Sequence, residues 1–515
     1  MPSDEVADAA EELVSRYAPT HGPFPPADLR ARYGLDLAAA VKAREATGQL
    51  VRGAIDPAGP HGGEQLESID ADVLRRLRRA SLAALRSEIE AVDQSALASF
   101  MPSWHGVDRH SSAGAGIDRL REVLVPLQGL ALPADVWEQD VLPRRCGSYS
   151  PIWLDQLCSS GEVVWIAAGA LGRNSGRVAL YFRDDVPVLG RPWAKGAVLT
   201  EHDDDVHQAL RACLSASPRF FTDLLADEGL MHVATGPELQ DALWDLVWAG
   251  EVTNDQFAPL RAPKLTLATA QRAAQGRRGT RFRTRRGAAT GAPVQGRWSL
   301  VGPLLGDSTD GTGDRRAIAE LLLERHGILT REHIVSEGLP GGFSGIYTAL
   351  ADLETLGVCR RGYFAEGLGG QQFALPGAVE RLRSSADSDR TDAIVLAATD
   401  PAQPFGGVLP CPQRAADDSR ARPARAAGAH VVICGSEPVL YVERGGKGLQ
   451  TLSPTASSEL LSEALEALAA HVRADRRRKL SLERVDGEPV VGSALEQPLI
   501  DAGFRAGPRK LTLSA

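Results

Sequence analysis

The chain has 515 residues, too many for one hydrophobic core, and that length suggests about three to five domains. Its 57 basic and 66 acidic residues leave a net charge of −9, so nucleic-acid binding has to arise from local basic clusters, since bulk charge opposes it. The cysteines (Cys146, Cys158, Cys213, Cys359, Cys411 and Cys434) form no C-x-x-C pair, which argues against a zinc knuckle or redox motif, and no signal-peptide or membrane-span pattern occurs, so the sequence reads as a soluble cytoplasmic chain.

In chain order, apolar spacing predicts helices over Val6–Tyr17, Pro26–Tyr33 and Asp36–Thr47, followed by a strand beginning at Leu50. A long amphipathic helix is predicted from Asp70 to about Val92. Helices near Gly116–Pro126, Pro133–Leu142 and Tyr149–Cys158 lead to strands at Glu162–Ile166 and Val178–Phe182. A further helical run from Val206 ends in the strand-like Glu251–Asn254.

The clearest copy spans Asp314–Leu375. Ile318, Leu321 and Leu322 share one face of a helix that stops at Gly327. Thr330 is a good N-cap for a second helix. A third carries Ile346, Leu350, Leu353 and Leu356 inward, and two strands follow, Val358–Phe364 and Gln372–Leu375. Three helices and a β-hairpin make a winged helix. A helix, a Gly turn and a strand recur at Gly48, Gly161, Gly250 and Gly357, which predicts winged helices in series.

From about Ser385 strands dominate: Ala393–Ala397, His430–Ile433, Val439–Val442 and Leu480–Val485, with helices at Ser457–Ala474 and Leu495–Ala502. The expected class is α+β: tandem winged-helix domains followed by a β-barrel-like C-terminal domain. The expected boundaries are winged helices at 1–65, 66–190, 191–258 and 301–384, an Arg-rich linker or arm at 259–300, and the barrel-like domain at 385–515.

No G-x-x-x-x-G-K-[ST] phosphate loop is present, so the sequence contains no ATP-driven motor of the usual kind. No His/Cys cluster predicts a metal, and no cofactor is expected. The strongest basic run holds Arg277, Arg278, Arg281, Arg283, Arg285 and Arg286 without an acid, a pattern suited to phosphate contacts or to a solvated linker. Arg360 and Arg361 are candidates for phosphate contacts on a wing, and Tyr363 and Phe364 for base stacking. Trp104 is a candidate wedge, weighed against an ordinary packed indole. Base excision would need a carboxylate beside a sugar carbon; Asp400, in a turn after a strand, and Asp501 are the candidates.

The segment Arg360–Ala374, RRGYFAEGLGGQQFA, resembles a wing of the bacterial Lhr (large helicase-related) proteins, and Asp400–Gly407, DPAQPFGG, resembles a turn of the same family. Arg16–Phe24, Leu127–Gly129, Leu154–Leu157, Gly296–Val301 and Glu443–Gly446 match in the same order. The resemblance is to the C-terminal region of that family, which is similar in turn to AlkZ-type winged-helix DNA glycosylases. It implies DNA repair, binding to single-stranded DNA or RNA:DNA hybrid, homo-oligomerisation, and a helicase core elsewhere in the same protein. The AlkZ-type Q-x-D or Q-x-Q pair is met only at Gln128, because Gly129 and Leu130 follow it. A DNA glycosylase acting on uracil or an alkylated base is therefore the second reading, and a pure assembly module the third.

Overall fold

The computed structural model describes residues 4–56, 66–87, 91–108, 115–172, 175–190, 204–261, 296–306, 311–386, 392–412, 423–453, 457–474 and 479–514. Two compact units are present: Met1–Glu90 with Asp352–Gly362, and Ala91–Ala351 with Tyr363–Ala515.

In the first unit, helices Asp4–Tyr17, Pro26–Tyr33 and Ala38–Ala46 enclose Val14, Phe24, Leu29 and Val41. Leu50 closes this core from strand Leu50–Gly53, which pairs antiparallel with Glu67–Asp70 as Leu50↔Asp70 through Gly53↔Glu67. The wing thus reaches past residue 65, where the sequence suggested an end. Helix Ala71–Ser87 follows. Val92, expected as its last residue, instead lies in the second unit as an extended residue whose N–H donates to the carbonyl of Phe364 at 2.9 Å.

The second unit opens with helix Gln94–Trp104, started by Asp93, whose carboxylate accepts from the Ser95 N–H. A winged helix follows: helix Ile117–Leu124, a broken helix over Ala134–Arg145, helix Pro151–Ser159, and strands Leu132–Pro133, Val163–Ala170 and Gly176–Phe182 in the sheet. Trp137 and Trp165 fill its core.

The next winged helix comprises helices Asp205–Ala216, Phe221–Leu225 and Gly236–Trp248. Its wing pairs Val252–Asn254 with Arg297–Leu300, in the register Val252↔Leu300 to Asn254↔Trp298. The Arg-rich stretch is therefore an insertion between two strands of one wing. It does not link successive modules, and Arg297–Leu300, assigned to the linker by sequence, is a strand. In the following winged helix, helices Gly311–His326, Arg331–Glu337 and Gly342–Thr355 come in the expected order. Thr330 caps the second of these, accepting from the His333 N–H. Strand Gln372–Ala374 pairs antiparallel with Ile328–Leu329. Leu356, expected inward, is exposed because the helix ends at Thr355.

Gly48, Gly161, Gly250 and Gly357 all adopt the left-handed conformation, with φ of +74°, +79°, +78° and +78°, which glycine enters without steric cost. After three of them the next N–H reaches back five residues: Gln49 to Arg44, Glu251 to Leu246 and Val358 to Leu353, at 2.9–3.0 Å. These are Schellman ends, which satisfy helix carbonyls and turn the chain into the wing.

The C-terminal strands form a six-stranded sheet and a separate three-stranded sheet. Ala393–Ala397 lies at one edge of the larger sheet and Glu488–Pro489 at the other. Helix Ser458–Ala474 packs Leu465, Leu468 and Val472 into the same core as Val432, Leu440 and Leu482. The expected barrel does not form: the two edges stay unjoined among the described residues, and a helix covers one face. No helix among the described residues is long and apolar enough to cross a membrane.

Candidate functional site

Asp400 follows strand Ala393–Ala397 in a tight turn, with its Oδ1 accepting the Ala402 N–H at 2.8 Å. Asp before Pro favours such a self-capped turn. Arg145 ends the helix Leu142–Arg145 and meets the carboxylate in a two-pronged pair, Nη2 to Oδ1 at 2.8 Å and Nη1 to Oδ2 at 3.0 Å. Their side chains are only 4% and 1% exposed. Arg425 braces the same turn, donating to the carbonyls of Gln403 at 2.6 Å and Asp400 at 3.0 Å.

Beside it lies a second charged group. Arg325 Nε donates to the Pro126 carbonyl at 2.7 Å, and its other nitrogens reach Glu337 and the Gln128 carbonyl. His326 lies 2.9 Å from the other Glu337 oxygen and 4.2 Å, ring to ring, from His333. Burial pushes the Glu337 carboxyl up, but the Arg325 guanidinium and His326 outweigh it and hold it at about 2. Burial drives His333 well below the usual imidazole range, helped by His326. Burial, then the Arg145 charge, does the same to His105, and burial also lowers His326. The three rings are therefore neutral near pH 7. His105 Nε2, His326 Nδ1, His333 Nε2, Thr399 Oγ1 and Gln403 Oε1 are buried with no hydrogen-bond partner among the described residues.

Three guanidiniums meet two carboxylates here, and Arg425 is bonded to main-chain carbonyls. The arrangement is an electrostatic joint between winged-helix segments and the C-terminal sheet. In this conformation both Asp400 oxygens accept hydrogen bonds, and the carboxylate is the buried counter-ion of Arg145.

The other expected residues are scattered. Asp501 ends the helix Glu496–Asp501, is exposed, and accepts from Gln497 Nε2 at 2.8 Å. Arg360 is exposed, whereas Arg361 is half-buried with Nε 3.1 Å from Glu354. Tyr363 is 61% exposed, but Phe364 is 1% exposed and is a core residue, unavailable for stacking. Trp104 is no wedge either. Its indole N–H donates to the Glu324 carbonyl at 3.0 Å, and its ring lies against Phe100 and under the Arg381 guanidinium. Arg277, Arg278, Arg281, Arg283, Arg285 and Arg286 lie outside the described residues. Gln128 is buried, with Oε1 accepting the Phe182 N–H at 2.8 Å and Nε2 donating to Asp185 at 2.9 Å. Sequence reasoning missed Arg145, Arg325, Arg425 and the histidines, whose partners are mostly remote in sequence.

Residues 92–183 and 308–394 each match a family model described as large helicase-related protein, winged-helix domain. An Lhr helicase/probable uracil glycosylase of Mycolicibacterium smegmatis is 39% identical over 535 residues, covering 99% of this chain and 34% of that protein. An Lhr helicase/uracil glycosylase of Escherichia coli is 32% identical over 477 residues, covering 86% of this chain and 30% of that protein. The chain thus spans about a third of the length of the curated relatives it matches. Among solved structures, the DNA glycosylase AlkZ of Streptomyces sahachiroi aligns over 74% of this chain and 96% of its own, with a TM-score of 0.43 and 14% identity. The resemblance to Lhr proteins read from the sequence is thereby shown.

Proposed function

Starting from that resemblance, we propose that this chain is the DNA-binding part of an Lhr-type repair protein, acting in the cytoplasm with a helicase core of the same protein and as a homo-oligomer. The observation that supports it best is the wing at Val252–Asn254 and Arg297–Leu300, because these paired strands tie both ends of the Arg-rich insertion to one winged helix. Arg277, Arg278, Arg281, Arg283, Arg285 and Arg286 then contact phosphates, as does the exposed Arg360, and Tyr363 stacks on an unpaired base. Single-stranded DNA and RNA:DNA hybrid are the expected ligands.

Anisotropy of labelled single-stranded, duplex and hybrid probes, repeated across salt concentrations, tests this. Replacing Arg281, Arg283, Arg285 and Arg286 by Gln should flatten the log–log salt slope by up to about 3 to 4, since each lost phosphate contact removes about 0.7 to 0.9. Binding that ignores both salt and these substitutions would refute it, and no binding at all would leave the assembly reading.

A second reading is removal of uracil or an alkylated base, and the names of both relatives favour uracil. Asp501 has the access that a general base or electrostatic stabiliser needs. Asp501→Asn should then abolish alkali-labile cleavage of a uracil-containing strand and leave binding unchanged.

A further inference from the structure

Outside the joint, a further set of side chains converges. Asp140 lies in the π-helical turn Trp137–Val141 and is 7% exposed. That turn is fixed by Trp137, whose buried indole N–H donates to the Val178 carbonyl at 2.9 Å. His430 begins strand His430–Cys434, and His471 lies in the last turn of helix Ser458–Ala474. His430 Nε2 is 3.2 Å from Asp140 Oδ1, and His471 Nε2 is 4.0 Å from the same oxygen. The ligand atoms of all three residues lie within 4.8 Å of one another.

His430 is within hydrogen-bond distance of Asp140, and His471 stands 4.0 Å from the same oxygen. Two imidazoles and a carboxylate turned toward one point are the donor set of a first-row divalent metal. With metal–ligand bonds of about 2.0 to 2.1 Å, neighbouring ligand atoms stand about 3 Å apart and opposite ones about 4 Å. The two distances to Asp140 Oδ1, 3.2 and 4.0 Å, lie in that range, and all three ligand atoms lie within 4.8 Å of one another. Side chains of His430 and His471 are 20% and 14% exposed, which leaves water a route to complete the coordination. The three ligands come from a winged helix and from the C-terminal sheet and its helix, so an ion here would staple the two together.

We propose that Asp140, His430 and His471 bind one divalent first-row transition-metal ion, of which zinc is the type. Three protein ligands with a water-completed shell are the pattern of an accessible zinc site.

The test uses the full chain, stripped with EDTA and titrated with zinc chloride in a calorimeter at pH 7.5. One equivalent should bind. A free zinc concentration 100 times Kd should raise the folded-to-unfolded ratio about 100-fold. His471→Gln and Asp140→Asn should each weaken uptake by at least about 10- to 100-fold, the loss caused even by an outer-shell partner. In EDTA, both variants should melt close to the unsubstituted chain. If either fails to fold, zinc protection of His430 and His471 from diethyl pyrocarbonate in the unsubstituted chain, mapped by mass spectrometry, decides the matter. No saturable uptake, equal uptake in the variants, or no protection of these two rings would overturn the proposal.

Discussion

Replacing Asp400 separates a structural role from a catalytic one. Asp400→Ala removes the only carboxylate within 4 Å of the Arg145 guanidinium among the described residues, in a place where the two side chains are 1% and 4% exposed. Stranding a buried cation costs about 3 to 5 kcal/mol. For a cooperative block of about 150 to 250 residues, a loss of that size lowers Tm by about 6 to 20 °C. Arg145→Met with Asp400→Leu removes both charges, and a replaced ion pair is often neutral or stabilising. The double variant should therefore recover most of the lost Tm, and a double-mutant cycle should give a coupling of several kcal/mol. Scanning calorimetry on the three variants measures this, with base excision from a uracil strand assayed alongside. An Asp400→Ala chain that melts within 2 °C or so of the parent, a shift worth only about 1 kcal/mol, yet has lost excision would refute the reasoning and make Asp400 catalytic.

Neighbouring aromatics should part company: Tyr363→Ala should weaken single-strand binding by about 1 to 3 kcal/mol without moving Tm, whereas Phe364→Ala should cost about 3 to 5 kcal/mol of stability, read by anisotropy and thermal melts. Because the folded-state values of His105, His326 and His333 lie below 6.5, the unfolded chain takes up protons first. Stability is thus fullest above about pH 6.5 and falls below it, with a slope of at most about 1.4 kcal/mol per pH unit for a ring that stays neutral in the fold. Glu337 adds a second loss as pH drops from its ordinary 4.5 toward about 2, so urea midpoints measured from pH 7.5 to 2 should decline in two stages. Finally, a methyl at Gly176 would sit 2.2 Å from the Trp248 ring, so Gly176→Ala should cost about 1 to 3 kcal/mol or more in the same melts.

Local features were legible in the sequence and long-range ones were not. The Gly turns announce themselves through residue type and the helix before them. Thr330 and Pro26–Tyr33 were equally readable, because caps and periodicity act within a few residues. The pairing of Asn254 with Trp298 was hidden, since the residues between them have no apolar period and look like a linker. Asp400 reads as a turn residue, and it is one. Its partner Arg145 is 255 positions away and leaves no trace in local spacing. Asp140, His430 and His471 escape for the same reason. The error at Phe364 has a simpler cause: in extended chain neighbouring side chains point to opposite sides, so Tyr363 and Phe364 cannot both face outward.

The four glycine joints have a practical consequence. Three are closed entirely by main-chain hydrogen bonds spanning at most five residues, and the fourth, Gly161, by a bond to Cys158. Each hinge takes its closing bond from its own helix, although Gly161 also accepts from Arg183 Nε. A helix and its wing can therefore be lifted out at one glycine and grafted at another, with the turn surviving the transfer. Chimaeras cut at these positions would be exchanges of interchangeable parts, and their solubility would report on side-chain packing alone.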